Sequence, residues 1–292
     1  MMYHLLRLLL KLFSFVPWRV LYVLSDALYG LLYYVVRYRR KIVRRNLTES
    51  FPAKDLPELR QIERKFYRFF ADMILETCKY ATLSQEEIRR RMKFVNAEGV
   101  NAMIREGRSN AIYLGHHGNW EWVSSMPLWL DKRMTGAQIY HKLRNKSMER
   151  LMLYIRERMG VLSVDMRKTA RYIANQVAGH KICVIGFIAD QSPKLRESRH
   201  FLSFLHHKAP VLTGTEKIVK HYGFEAWYLD VRRVKRGYYE AEFVRLHEVP
   251  QSLPDFDLTA LYFRHLEQTI QRQPELYLWT HNRFKHAERE AE

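Results

Sequence analysis

The stretch Ala111-Ile112-Tyr113-Leu114-Gly115-His116-His117-Gly118-Asn119-Trp120-Glu121 decides how this chain is read. Residues 111–114 form an apolar run of the length a buried strand takes. Gly115 and Gly118 then permit a tight turn, and a helix is expected to begin near Asn119. In open α/β sheets ligands bind at such loops, because they leave the carboxyl ends of the strands. A histidine there, with a carboxylate five positions later, offers a general base and an orienting partner. The imidazole takes a proton from a hydroxyl, while the carboxylate sets its tautomer and stabilises the imidazolium. On a straight helix five residues place two side chains about 140° apart, so His116 must lie in the turn for Glu121 to reach it. The spacing by itself carries little, since about one His-to-acid pair at that interval arises by chance in such a composition. The strand–turn–helix context gives it weight.

Working outward, residues 136–140 and 182–189 read as further buried strands, and 225–231 and 238–246 as later strands joined by a turn around Gly237. Helical patterns occupy 120–130, 146–159, 169–178, 211–222 and 258–272, and 53–93 is charged and helical throughout. The fold class this implies is α/β: a mixed sheet flanked by helices, with an amino-terminal membrane-associated helical segment. The division falls at residues 1–94, the helical membrane-associated region, and 95–292, the α/β domain. No Gly/Ser/Pro linker separates them, so the helices are expected to pack on the α/β body.

Residues 1–36 are dense in Leu, Tyr, Phe and Val, yet Arg7, Lys11, Arg19 and Asp26 interrupt them and Pro17 breaks the run in two. A spanning helix needs about 20 apolar residues with few or no charges. A monotopic hairpin or pair of interfacial helices fits better, with Trp18 and the tyrosines at headgroup depth. The alternative is that these side chains are the core face of packed helices. Arg37, Arg39, Arg40, Lys41, Arg44 and Arg45 follow at once, a cluster drawn to anionic lipid and placing the bulk of the chain on the cytoplasmic side.

The composition agrees with an anionic partner: 49 Lys+Arg against 31 Asp+Glu leave a formal charge of +18. With 47% hydrophobic residues the chain builds a real core, and two cysteines rule out a disulfide framework. No metal-ligand spacing appears, so no metal site is assigned.

His116–Glu121 reproduces in full the His-x-Gly-Asn-Trp-Glu element of the bacterial lipid A late acyltransferase family, within the lysophospholipid acyltransferase superfamily, which this sequence resembles. Three further stretches are similar to that family in the same order: 40–47 with Phe51-Pro52, Asp190-Gln191, and 274–285 ending in Trp279-Thr280-His281-Asn282-Arg283-Phe284-Lys285. The resemblance implies transfer of a fatty acyl group from an acyl thioester, typically on acyl carrier protein, to a hydroxyl of a membrane lipid such as a lipid A precursor. It makes His116 the base and Glu121 its partner, at the cytoplasmic face of a bacterial inner membrane. It implies no cofactor, and no nucleic acid as a partner.

Turn amides around Gly118 and Asn119 are expected to receive the developing oxyanion. One departure stands out: where the family has Tyr-Arg after the strand ending in Tyr140, this chain has Tyr140-His141, with Lys142 and Arg144 as replacement cations. Arg283 and Lys285 read either as phosphate contacts or as a solvated basic end. His117 is expected to be a packing or surface residue, Trp120 a support beneath the turn, and His206 and His207 loop residues with structural or headgroup roles. Two other readings stay open: acylation of a lysophospholipid or an amino-acid-headed lipid, and a non-catalytic basic protein on membrane or nucleic acid. Salt separates the last, because nucleic-acid binding falls steeply with ionic strength.

Overall fold

The computed structural model describes residues 2–193 and 200–289. Two short helices open it, α1 (Met2–Ser14) and α2 (Trp18–Gly30), with Pro17 at the break; the second runs on into a π-helical turn at Leu31–Val35. Then come α3 (Arg40–Ser50), the long α4 (Leu56–Tyr80) and α5 (Gln85–Arg91). Asp55 and Glu58 cap α4 reciprocally, each side chain accepting from the other's backbone amide.

The rest alternates strand and helix: β1 (Met92–Val95), α6 (Ala97–Arg105), β2 (Asn110–Leu114), β3 (Met134–Tyr140), α7 (Lys146–Glu157), β4 (Leu162–Asp165), α8 (Thr169–Ala178) and β5 (Ile182–Ile188). A hairpin of β6 (Phe201–Phe204) and β7 (His207–Pro210) follows, then α9 (Gly214–Tyr222), β8 (Glu225–Lys235), β9 (Tyr238–Arg245), α10 (Asp257–Arg272) and the short β10 (Glu288–Arg289). Seven strands make one sheet in the order β1-β9-β8-β2-β5-β3-β4. Five of them, β8 through β4, run parallel; β9 turns back against β8, and β1 lies parallel to β9. The sheet is therefore mixed, as expected.

Every residue of β2 is buried, which a central strand covered on both faces requires. Tyr113 points into a core with Ile185, Tyr228 and Tyr262, while Ile112 and Leu114 face the opposite core with Val184, Trp122 and Leu229. Residues of α4 enter both cores, Phe66 one and Phe69 the other, so the amino-terminal helices do pack on the sheet.

The helix expected over 120–130 is instead a 3₁₀ segment, Trp122–Leu128, with Pro127 inside it. Pro127 has no amide hydrogen to donate, and the hydroxyls of Ser124 and Ser125 donate back to the carbonyls of Glu121 and Trp122. Strands β1, β4, β6 and β7, four residues each, carry too short a pattern to be seen in sequence. His207 lies in β7, buried and stacked on Phe284 at 3.8 Å, so its role is structural. The Gly237 turn is as expected, with φ +74°.

The two faces of the helices in residues 1–36 differ. The inner faces are tied down: Trp18 donates to Glu87 at 3.1 Å, Tyr22 to Glu76 at 3.0 Å and Ser25 to Asp72 at 2.6 Å. The outer faces expose Leu5, Leu8, Leu12, Phe15, Val20 and Val23. Among the described residues no single helix is long and apolar enough to cross a membrane; Met2–Ser14 and Trp18–Val35 are so only together, and they are bent by 115°.

The basic cluster also makes contacts within the protein. Arg40 and Arg44 both bind the buried carboxylate of Glu63, at 3.2 and 3.1 Å, Arg39 donates to the Thr280 carbonyl, and Arg45 donates to Asn282. Arg40 and Arg44 tie α3 to α4 because Glu63, removed from water, demands cationic partners. Lys41 stays exposed toward solvent.

Candidate active site

Strands β2 and β5 pair in parallel with Leu114 opposite Ile188. Two residues further along each chain stand His116 and Asp190, so the register alone brings them together. The His116 amide donates to Asp190 Oδ2 at 3.1 Å, and the ring Nδ1 lies 2.7 Å from Oδ1. A buried carboxylate accepts, so Nδ1 carries the proton and Nε2 is left with its lone pair. The Gln191 side-chain amide sits 3.2 Å from Nε2 and donates to it. The Asp190 side chain is 2% exposed and that of His116 17%, so the imidazole reaches a surface that the carboxylate does not. Burial alone raises the Asp190 carboxyl, but the charge and hydrogen bonds of His116, with the Arg283 charge, hold it below the usual carboxylate range.

The turn around His116 is clamped by the segment after α10. Leu278 N donates to His116 O at 3.0 Å and Gly118 N to Leu276 O at 3.1 Å, forming a short antiparallel bridge of His117 with Tyr277. Gly118 adopts φ +64°, and a Cβ there would lie 2.6 Å from Val231 Cγ1. The His117 ring is buried between the carbonyls of Val231 and Gln273, each 2.9 Å away. Trp120 meets the His116 ring edge to face at 5.3 Å.

Three sequence-distant pieces therefore meet here: 116–121, 190–191 and 276–283. Bacterial lipid A biosynthesis acyltransferase is the description of the family model that matches residues 1–286. The chain belongs to that family. A comparison with curated proteins gives no match.

The acyltransferase differs from its sequence reading in which carboxylate meets the His116 ring. Both Glu121 oxygens are taken by Arg156 of α7, at 2.6 and 2.7 Å, in a bidentate pair, and the His116 ring binds Asp190. The 3₁₀ segment begins only at Trp122, so the side chain of Glu121 leaves the turn in a direction set by α7. Asp190 was legible only as part of the Asp-Gln motif, and the parallel register of β2 and β5, which no local pattern carries, brings it to the histidine.

The other expected site residues have partners or surroundings of their own. The Gly118 amide is already bonded to Leu276, and Asn119 is fully buried, its Nδ2 donating to Glu76 at 2.8 Å and its Oδ1 accepting from Trp122 N. Both therefore shape the turn from inside. Lys142 lies 3.8 Å from Glu149, and Arg144, like His141, is exposed on the loop after β3.

Arg283 is neither a solvated basic end nor a surface phosphate contact: it is 1% exposed, packed among Phe204, Phe263 and Phe284 at 5.7–6.0 Å. Among the described residues none of its three guanidinium nitrogens has a hydrogen-bond partner. Its charge is felt by Asp190 instead.

His281, absent from the expected site, belongs to it: its Nε2 accepts from the Ser192 amide at 3.3 Å, and burial lowers its pKa to about 4. It is thus a neutral ring with the proton on Nδ1. Among the described residues no group of three His, Cys, Asp or Glu side chains is placed to hold a metal ion.

Proposed function

We propose that the acyltransferase moves a fatty acyl group from a thioester on acyl carrier protein to a hydroxyl of a lipid A precursor, with His116 as general base and Asp190 as its orienting partner. The observation that carries this reading is the 2.7 Å contact between His116 Nδ1 and a buried Asp190, which leaves Nε2 free to accept a proton.

The acceptor hydroxyl displaces the Gln191 amide from Nε2. Its oxygen attacks the thioester carbonyl as Nε2 takes its proton. The tetrahedral intermediate collapses, the carbon–sulfur bond breaks, and the imidazolium returns the proton to the departing thiolate. An ester and a free thiol result. The Asp190 carboxylate stabilises the imidazolium between the two transfers. Glu121 serves this site through Arg156, whose guanidinium it fixes by two hydrogen bonds. The exposed apolar face of α1 and α2 seats the chain monotopically on the cytoplasmic face of the inner membrane, where the acceptor's hydroxyls lie.

Full-length chain incubated with radiolabelled acyl carrier protein and a lipid A precursor tests this. The expected product carries one added acyl chain, and His116→Ala lowers its formation by about 10²–10⁴-fold. Transfer that survives in His116→Ala, or wild-type chain that acylates a lysophospholipid but no lipid A precursor, overturns the reading.

A further inference from the structure

A cavity of about 840 Å³ opens between α2, α4 and the β8–β9 hairpin, well apart in sequence from His116. Its walls carry Lys65, Arg68, Arg233, Lys235 and Arg236 against two carboxylates, Asp26 and Asp72. Both carboxylates are bound by one guanidinium, that of Arg236, at 2.7 and 2.6 Å. Lys65, Arg68 and Lys235 have no carboxylate partner among the described residues; Arg68 and Lys235 rest on the rings of Tyr29 and Tyr238, at 5.1 and 4.4 Å. The nearest carboxylate oxygen to Arg233 is that of Glu275, 3.9 Å away. Cations gathered in one concavity repel one another, and the arrangement is relieved by a bound anion.

Two placements say which anion. The cavity's α2 wall, Asp26 and Tyr29, belongs to the helix whose other face exposes Val20, Val23 and Leu24, so the cavity lies where a lipid headgroup would meet the protein. Its floor includes Gln273, whose side chain accepts from Arg233 N and donates to Arg233 O, and whose carbonyl faces His117 Nε2 at 2.9 Å. The same segment continues into the bridge that clamps the His116 turn.

We propose that this cavity binds the phosphate of a membrane-lipid headgroup, through Lys65, Arg68, Arg233 and Lys235. Binding stands independently of acyl transfer, so a chain that binds phosphate and acylates nothing would refute the proposed function and leave this site intact.

The test uses full-length chain in neutral detergent with glycerol 1-phosphate as probe, followed by thermal unfolding and by titration. The wild-type chain is expected to be stabilised by the probe, and Lys65→Gln/Arg68→Gln to bind it about tenfold or more weakly, because each lost contact is a charge-assisted hydrogen bond. Arg37→Gln/Lys41→Gln, outside the cavity, is expected to bind it as wild type does. Lys235→Gln, on the other wall, gives a second variant in case the first fails to fold. Equal binding by wild type and the cavity variants overturns the proposal. So does loss of affinity for acyl carrier protein with the probe still bound, which would make the patch a protein-docking surface. Two further arms identify the source. A raised KM confined to a phosphorylated acceptor marks the substrate's phosphate; weaker binding to phosphatidylglycerol vesicles with KM unchanged marks bulk lipid.

Discussion

Asp190 grips His116 at two points, one carboxylate oxygen on the backbone amide and the other on the ring nitrogen. Backbone and tautomer are thus fixed by one buried group, which is itself held ionised by the charges around it. Asp190→Asn keeps the shape but permits the wrong tautomer. It is expected to lower kcat by about 10²–10⁴-fold with little change in KM. Steady-state kinetics on the folded variant check this, and a fall of less than threefold would remove Asp190 from the mechanism.

Glu121 and Arg156 form a largely buried bidentate pair, so truncating one strands the other. Glu121→Ala is expected to destabilise the fold by about 2–4 kcal/mol, somewhat less than the roughly 3–5 kcal/mol of a fully buried pair because Arg156 keeps some water contact. Glu121→Ala/Arg156→Met should recover much of that loss in urea unfolding. If the double variant is as unstable as the single one, the pair is not the cause.

Glu76 sits wholly buried in α4, accepting hydrogen bonds from Tyr22, Asn119 and Tyr239. Burial, and next the Asp72 charge, push its pKa up to about 7 in spite of those donors. Between its ordinary value of 4.5 and 7 the folded chain keeps a proton that the unfolded chain has lost. Its contribution to stability therefore falls as pH rises through that window, by up to about 3 kcal/mol. Glu76→Gln should flatten this part of the stability–pH curve, measured as urea midpoints from pH 4.5 to 8. An unchanged slope would place the titration elsewhere.

The outer face of α1 presents Leu5, Leu8 and Leu12, each more than half exposed. Leu8→Glu/Leu12→Glu is expected to weaken vesicle binding by at least tenfold, since burying each leucine is worth about 1.5–3 kcal/mol. Wild-type binding should persist at 0.5 M salt, where an attachment made only by surface charge would be screened away. Flotation with neutral and anionic vesicles measures both.

Much of the architecture was legible before any coordinates. The strands that form the centre of the sheet announced themselves as apolar runs, because a strand covered on both faces has no polar side to show. Helices α7, α8, α9 and α10 followed from apolar residues at three- and four-residue steps. The short edge strands did not, since four residues hold too little pattern, and the 3₁₀ segment at Trp122–Leu128 took its form from Pro127 and two back-bonding serines. In residues 1–36 the core-face reading holds for the inner side of the helices, and the outer side is left exposed.

What the sequence by itself determined was the class of fold, the turn that carries His116, and the order of motifs that places the chain among lipid A biosynthesis acyltransferases. Those are local properties: periodicity, turn residues and short strings of side chains. Tertiary structure alone decided which acid meets the histidine, that Arg283 is sealed among three phenylalanines, and that Arg40 and Arg44 share the buried Glu63. Partners of that kind are chosen by strand register and by the desolvation of buried charge, and neither is set by residues close together in the chain.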